Sequence, residues 1–480
     1  MLKRIPLLVS LLLFLTILAL VIFVSRQSPV GYWYGYITNE FGKSRVSLVV
    51  EKLVDGSFSA RTIGIEENYG WTLNNVSVTR KSFHAEVESN GIIDLSLNGV
   101  GHSLNGTWKI EGKTFVLDLN RGKDFFLPRV DFLDNPVTDY TYSIPKKMSD
   151  AWETADIQTV DGDPKKIEDA VRQVLQLGNF NIHSLLVVRH GKLVLDEYFY
   201  GYGPGDEHPL ASVTKSVFST LFGIAADQGL LKPEQKLYDF FPDYRSKPGW
   251  QANKEKITLG MLLSMTSGFA CEDWANQPNA CMFEMVKSPD WTDFCLTYPL
   301  GHVPGQHFAY CSSCLIPLGV LLTQKCGLSV ADFAQKYLYD PLGIQAHHWH
   351  LGPNKVHLVG SGHWLRPRDM AKLGLLYLNK GKWNGKQIVS QKWVEEATSI
   401  QAINDEPRTF EYGYLWWINK VALPGRDITV YYASGSGGQD IFVAPELDLV
   451  CVLTGGNFKD NEEGGQAFGI FKDYILSAFK

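Results

Sequence analysis

The sequence predicts a modular protein: an apolar N-terminal segment, an all-β module, and a two-lobed α+β domain in which an antiparallel sheet is flanked by helices beside a helical lobe. Three observations predict it. Residues 5–24 carry no charged side chain. From residue 31 to about residue 127, short segments alternate apolar and polar residues between Gly, Asn and Asp punctuation. Beyond residue 165, strand patterns at the two ends of a region enclose a long helical stretch, which makes one sheet from both ends of a domain.

The chain has 480 residues, 45% of them hydrophobic and 20% charged, enough apolar material for more than one core. Its net charge is −6 and its Lys and Arg residues are scattered, so it lacks the basic stripe that nucleic acid binding requires.

Lys3 and Arg4 precede the apolar segment. About 20 such residues in a helix span a ~30 Å hydrocarbon layer. The following "ALVIFVSRQ" offers no small-x-small cleavage site. Residues 1–27 therefore read as a membrane anchor or signal segment, with the positive charges inside and residue 28 onward facing the periplasm or cell exterior.

Residues 28–128 form the all-β module. Segments such as "RVSLVVEKL", "SFHAEVE", "IIDLSLNG" and "TFVLDLN" argue for an antiparallel meander closed into a barrel or sandwich. The region carries no cluster of His, Cys or carboxylates, which points to a binding or spacer module whose ligand the sequence leaves unknown. Its opening "GYWYGYI" resembles lipocalin-like modules.

A polar linker, 129–164, leads into the domain 165–480. Residues 165–177 read as an amphipathic helix, and "SLLVVRHGKLVLDEYFYG" as two strands joined by a two-residue turn at His190-Gly191. Helical patterns follow from residue 212 to about 377, with Thr258 as an N-cap. Strands return in "YGYLWWIN", "DITVYYAS", "QDIFVAPE" and "LDLVCVLTGG", and a final helix covers 467–479. A cleft is expected at the lobe boundary.

The seven cysteines are at 271, 281, 295, 311, 314, 326 and 451. Pairing six of them allows about 15 connectivities. Cys451, in a run that reads as a buried strand, is expected to be the free one. Cys311-Ser-Ser-Cys314 lacks the βαβ surroundings of a thioredoxin-like redox motif. The histidines in "HHWH", 347–350, lack a spaced second ligand pair and read as a loop without metal. Trp416 and Trp417 read as cleft wall and core, and Glu272 and Asp273 as residues that could face the cleft. No cofactor or metal is expected.

Ser212 and Lys215 open an apolar helical run, "SVTKSVFSTLFGIAA". At i and i+3 they share a helix face. Serine becomes a nucleophile once a base takes its proton, and a desolvated lysine can be that base. The helix N-terminus adds positive potential and backbone N–H groups suited to a developing oxyanion.

Several further blocks follow in order: "LLSMTSG" at 262–268, "PGQHFAYCSS" at 304–313, "PLGI" at 341–344, "LRPRDMAKLGLLYLNKGKWNGKQIVS" at 365–390, "YGYLWW" at 412–417 and "GSGGQDIFVAPELDLVCVLTGG" at 435–456. Together with the Ser-x-x-Lys tetrad, residues 165–480 resemble the serine β-lactamase-related hydrolases. This penicillin-recognising superfamily includes class C β-lactamases, D-amino-acid peptidases, carboxylesterases and 6-aminohexanoate-dimer hydrolase. The resemblance implies a β-lactamase/transpeptidase-like fold and an exported, membrane-anchored serine hydrolase acting on a small-molecule ester or amide. It implies Ser212 as the acylated nucleophile, Lys215 as its proton acceptor and Tyr310 as the motif tyrosine, whose phenol could have a lowered pKa and relay a proton. It further implies Ser436, Gly437, Gly438 and Gln439 as the substrate strand, with the N–H of Gly438 or Gln439 completing an oxyanion hole.

Two departures bear on substrate. The strand-motif lysine that grips a carboxylate is replaced by Gly435 or Ser436, and the Tyr-x-Asn motif becomes Tyr310-Cys311-Ser312. Both disfavour β-lactam turnover. The alternatives are a β-lactamase or D-alanyl carboxypeptidase, and a non-catalytic penicillin-binding-like protein.

Overall fold

The computed structural model describes residues 28–479 except 40–41, 65–68, 88–90, 99–100, 111, 177–180, 274–280, 405–409 and 459–465. The expected apolar N-terminal helix lies outside these residues. Among the described residues, no single helix is long and apolar enough to cross a membrane. The chain divides into two compact units with the boundary near Thr138. Of the stretch 129–164, residues 129–138 fall in the first unit and 139–164 in the second.

The first unit is a closed, antiparallel eight-stranded barrel: β1 (Gly31–Asn39), β2 (Gly42–Lys52), β3 (Phe58–Gly64), β4 (Tyr69–Val78), β5 (Ser82–Val87), β6 (Gly91–Asn98), β7 (Ser103–Ile110) and β8 (Lys113–Arg121). Alternation in the sequence becomes alternation of faces. Trp33, Val46, Leu48, Phe83, Leu95, Leu104 and Leu119 pack inside, as expected of an eight-stranded barrel whose interior side chains fill the lumen. Where β1 begins, the Arg121 guanidinium lies 4.2 Å from the Trp33 ring and donates to the carbonyls of Val30 and Gly101. Closure brings strands β1 and β8 so near at Gly35 that a Cβ there would lie 2.0 Å from the Asp118 carbonyl oxygen.

The second unit is built on an eight-stranded antiparallel sheet of β9 (Ile182–Arg189), β10 (Lys192–Tyr198), β11 (Ala402–Asn404), β12 (Phe410–Tyr412), β13 (Trp417–Leu423), β14 (Arg426–Gly435), β15 (Gln439–Ala444) and β16 (Leu449–Gly455). Their order is β10-β9-β16-β15-β14-β13-β12-β11. The sheet is thus made from both ends of the region, as the sequence predicts. His190 and Gly191 join β9 to β10 with positive φ at both residues, the geometry of a two-residue hairpin turn. Four longer helices accompany the sheet: α1 (Pro164–Leu175), α2 (Val213–Asp227), α3 (Ile316–Cys326) and α4 (Pro367–Leu378). α4 packs on β9, β15 and β16, while α2 packs on β14 and β15. Thr258 caps its short helix, accepting the Met261 N–H at 3.2 Å.

Two local readings are corrected. His347–Trp349 is a strand paired with His363–Leu365, and not a loop. Cys295 and Cys326 are free together with the buried Cys451, so the disulfide-forming set is smaller than six. The Cys295 thiol is used instead as a donor to the Ser313 carbonyl at 2.9 Å.

Candidate active site

The residues from Val213 to Ala225 are all buried, so α2 runs through the core of its unit. Several of its polar side chains are bonded: Ser216 Oγ donates to the Leu415 carbonyl at 2.6 Å, Ser219 Oγ to the Tyr414 carbonyl at 2.7 Å and Thr220 Oγ1 to the Ser216 carbonyl at 3.0 Å. Ala211, with φ of 44°, turns the chain sharply into the helix. Ser212 stands at the N-cap, yet its hydroxyl does no capping. It is half-buried and directed at Lys215.

Lys215 Nζ lies 2.9 Å from Ser212 Oγ, 2.7 Å from Ser312 Oγ and 2.7 Å from the Gly360 carbonyl oxygen. With 1% of its surface exposed, the amine is desolvated, which lowers its pKa to about 8; the Asp273 charge acts in the opposite direction. Gly360 O can only accept, so one N–H is always committed there. The neutral amine keeps that bond and a second N–H to Ser312, and turns its lone pair to the Ser212 hydroxyl.

Tyr310 completes the group. Its phenol is hydrogen-bonded to Ser212, and Lys215 Nζ lies 4.6 Å from its ring centre. The ring stacks on Trp417 at 5.5 Å and meets Tyr412 edge-on at 6.3 Å. Burial raises the phenol well above its ordinary value, and the bond to Ser212 pulls it only part of the way back. This reverses the expected lowering and leaves Lys215 as the more easily deprotonated of the two. Trp417 stacks on the Tyr310 ring, and Trp416 is fully buried core.

The strand motif is placed differently from the expectation. Gly435 ends β14 against the nucleophile: a Cβ there would lie 2.8 Å from the Ser212 nitrogen and 2.6 Å from the Leu210 carbonyl oxygen. Ser436, Gly437 and Gly438 form the turn to β15, and Gly438 N–H is used inside it, donating to Gly435 O at 3.3 Å. Gln439 is fully buried and ties its carboxamide to Gly455 and to the Ser436 carbonyl. Neither Gly438 nor Gln439 is therefore the residue next to the Ser212 amide. The physical reason is register: Gly435 pairs with Gln439, so the turn carries the later residues away from Ser212. Among the described residues β13 pairs with β14 only as far as Tyr432, so Ser434 to Ser436 have no ladder partner from β13.

Three participants were not singled out from sequence: Ser312, the Gly360 carbonyl, and the role of Asp273. Asp273 accepts the Ser312 N–H at 2.9 Å and donates its own N–H to the Tyr310 carbonyl at 2.8 Å, locking the Tyr310–Ser312 turn. The Tyr-x-Ser spacing could have pointed to Ser312. Gly360 carries no local signal, although its approach to Ser312 requires a glycine: a Cβ would meet Ser312 O at 2.8 Å.

The family profile described as Beta-lactamase matches residues 167–467. The 6-aminohexanoate-dimer hydrolase of Paenarthrobacter ureafaciens is 25% identical over 288 residues, covering 56% of this chain and 71% of that relative. A solved structure from Bacillus anthracis, provisionally assigned as a 6-aminohexanoate-dimer hydrolase, has a TM-score of 0.55 at 19% identity, covering 72% of this chain and 90% of its own. A family VIII carboxylesterase has a TM-score of 0.50 at 17% identity, covering 64% of this chain and 96% of its own. These structural likenesses show the fold.

Proposed function

The chain belongs to the beta-lactamase family, whose members are typically serine hydrolases, and from that premise we propose that it cleaves ester or amide bonds through an acyl-enzyme on Ser212. The observation that carries this is the buried amine of Lys215 at 2.9 Å from Ser212 Oγ with a pKa of about 8. Neutral Lys215 takes the Ser212 proton as Oγ attacks the substrate carbonyl. The oxyanion is held by the Ser212 N–H at the helix start and by a donor just past β14, which we assign to Ser436 N–H. Tyr310, still protonated at neutral pH, hands its proton to the leaving group and recovers one through Lys215. Water then repeats the sequence on the acyl-enzyme.

The substrate reading rests on the missing cation. Gly435 and Ser436 stand where a carboxylate-gripping lysine would, and loss of such a charge-assisted contact costs about 1.5–3 kcal/mol, roughly ten- to hundredfold in binding. A neutral small-molecule ester or amide fits better than a β-lactam or peptide terminus. The printed names of the hydrolase and carboxylesterase relatives agree with that preference. The apolar segment 5–24 supports an enzyme anchored at a membrane and facing outward.

Incubation of the full chain with a fluorophosphonate probe should label Ser212, and p-nitrophenyl butyrate should turn over faster than nitrocefin. An unlabelled Ser212 would favour a non-catalytic binder, and faster nitrocefin turnover would favour a β-lactamase.

A further inference from the structure

Four buried cysteines converge beside the Ser212 group: Cys271, Cys281, Cys311 and Cys314. The Cα separations are 5.6 Å for Cys271–Cys281, 5.7 Å for Cys271–Cys311 and 5.5 Å for Cys311–Cys314, all within disulfide span. A sulfur forms one S–S bond. Cys271 must therefore choose between Cys281 and Cys311, and Cys311 between Cys271 and Cys314. A cavity of about 310 Å³ is lined by Cys271 and Cys281 together with Glu272, Tyr298, His302 and Ala309, which gives a small molecule a route to this cluster. The Cys314 N–H donates to Cys311 Sγ at 3.2 Å, which fixes the Cys311 sulfur beside Cys271 and Cys314.

We propose that these cysteines form a thiol–disulfide exchange site adjoining the Ser212 group, with a small dithiol reductant as its substrate. In the oxidised state the bonds are Cys271–Cys281 and Cys311–Cys314, each within its own segment. A dithiol entering the cavity attacks Cys281 Sγ, which breaks the Cys271–Cys281 bond and releases Cys271 as thiolate. The reductant's second thiol then displaces Cys281, leaving a Cys281 thiol and an oxidised reductant. The Cys271 thiolate attacks Cys311 Sγ, forming Cys271–Cys311 and releasing Cys314 as a thiol. Two protein disulfides and one dithiol become one protein disulfide, one reductant disulfide and two protein thiols, so electrons and protons balance.

The new bond joins segments 40 residues apart in sequence. One carries Asp273, and the other carries Tyr310 and Ser312. It thus fixes the Asp273 grip on Ser312 N–H, and through Ser312 Oγ the orientation of Lys215. The half-reduced state is accordingly the faster one at Ser212. The CxxC motif alone gives no such device; the second pair of cysteines supplies it.

The full chain, purified without reductant, is titrated with dithiothreitol and quenched with N-ethylmaleimide. Linked peptides are mapped while the rate of fluorophosphonate labelling is followed. The first two-electron step should yield the Cys271–Cys311 peptide with maleimide on Cys281 and Cys314, and the labelling rate should rise about tenfold. The C281S/C314S double variant should show the fast rate without reductant and ignore dithiothreitol. The inference is overturned if the first step frees Cys271 and Cys281 with Cys311–Cys314 intact, if the four thiols are found holding a metal ion, or if the rate does not change. A chain never labelled at Ser212 would defeat the hydrolase reading instead, and the peptide map would still decide the exchange.

Discussion

In the barrel, burial alternates along the strand, so β6 reads buried, exposed, buried, exposed from Gly91 to Asp94, and its inner face is apolar. In α2 every residue from Val213 to Ala225 is buried, and five of them, Thr214, Lys215, Ser216, Ser219 and Thr220, are polar. In the barrel the buried face is mainly a packed apolar core. The helix uses burial to desolvate one amine, while distant backbone carbonyls accept from Lys215, Ser216 and Ser219. Stability and chemistry therefore rest on different residues, and substitutions should separate them.

The largest separation is expected at Ser212 and Lys215. Ser212→Ala should abolish fluorophosphonate labelling, and Lys215→Arg should slow it at least ~10²-fold, because a guanidinium cannot accept a proton near neutrality. Circular dichroism should report both variants as folded. Next comes Trp33→Ala. Removing this fully buried ring from the barrel should cost about 3–5 kcal/mol in the barrel's unfolding transition while Ser212 labelling is unchanged. A parallel loss of labelling would show that the two units depend on each other. The smallest effect is expected for Gly360→Ala, where the new methyl presses on Ser312 and displaces one acceptor of Lys215. Labelling should slow about three- to tenfold, and the clash with the Ser312 backbone should also lower the melting temperature.

The barrel was legible because a period of two fixes which side chains turn inward, and the Ser-x-x-Lys spacing was legible because a helix dictates that i and i+3 meet. The strand motif was not. Whether Gly435 or Gly438 abuts Ser212 depends on hairpin register, and a run of Ser-Gly-Gly offers no side chain to set one. The Gly360 carbonyl was invisible for a related reason: it acts through backbone, 145 residues from the lysine it serves. The phenol of Tyr310 was misjudged because a nearby lysine was taken as charged, whereas burial of both groups favours the neutral forms.

The central claim is that Lys215 acts on Ser212 as a neutral amine, and the pH dependence of Ser212 labelling tests it most directly. Burial lowers the lysine, so the active unprotonated form grows as pH rises. Second-order rate constants for a fluorophosphonate, measured from about pH 6 to about pH 10, should climb along a single acid limb with an apparent pKa of about 8 and then level off, and Lys215→Arg should lose that limb. A rate that is flat across this range in the wild type, or a limb that survives in Lys215→Arg, would contradict the account.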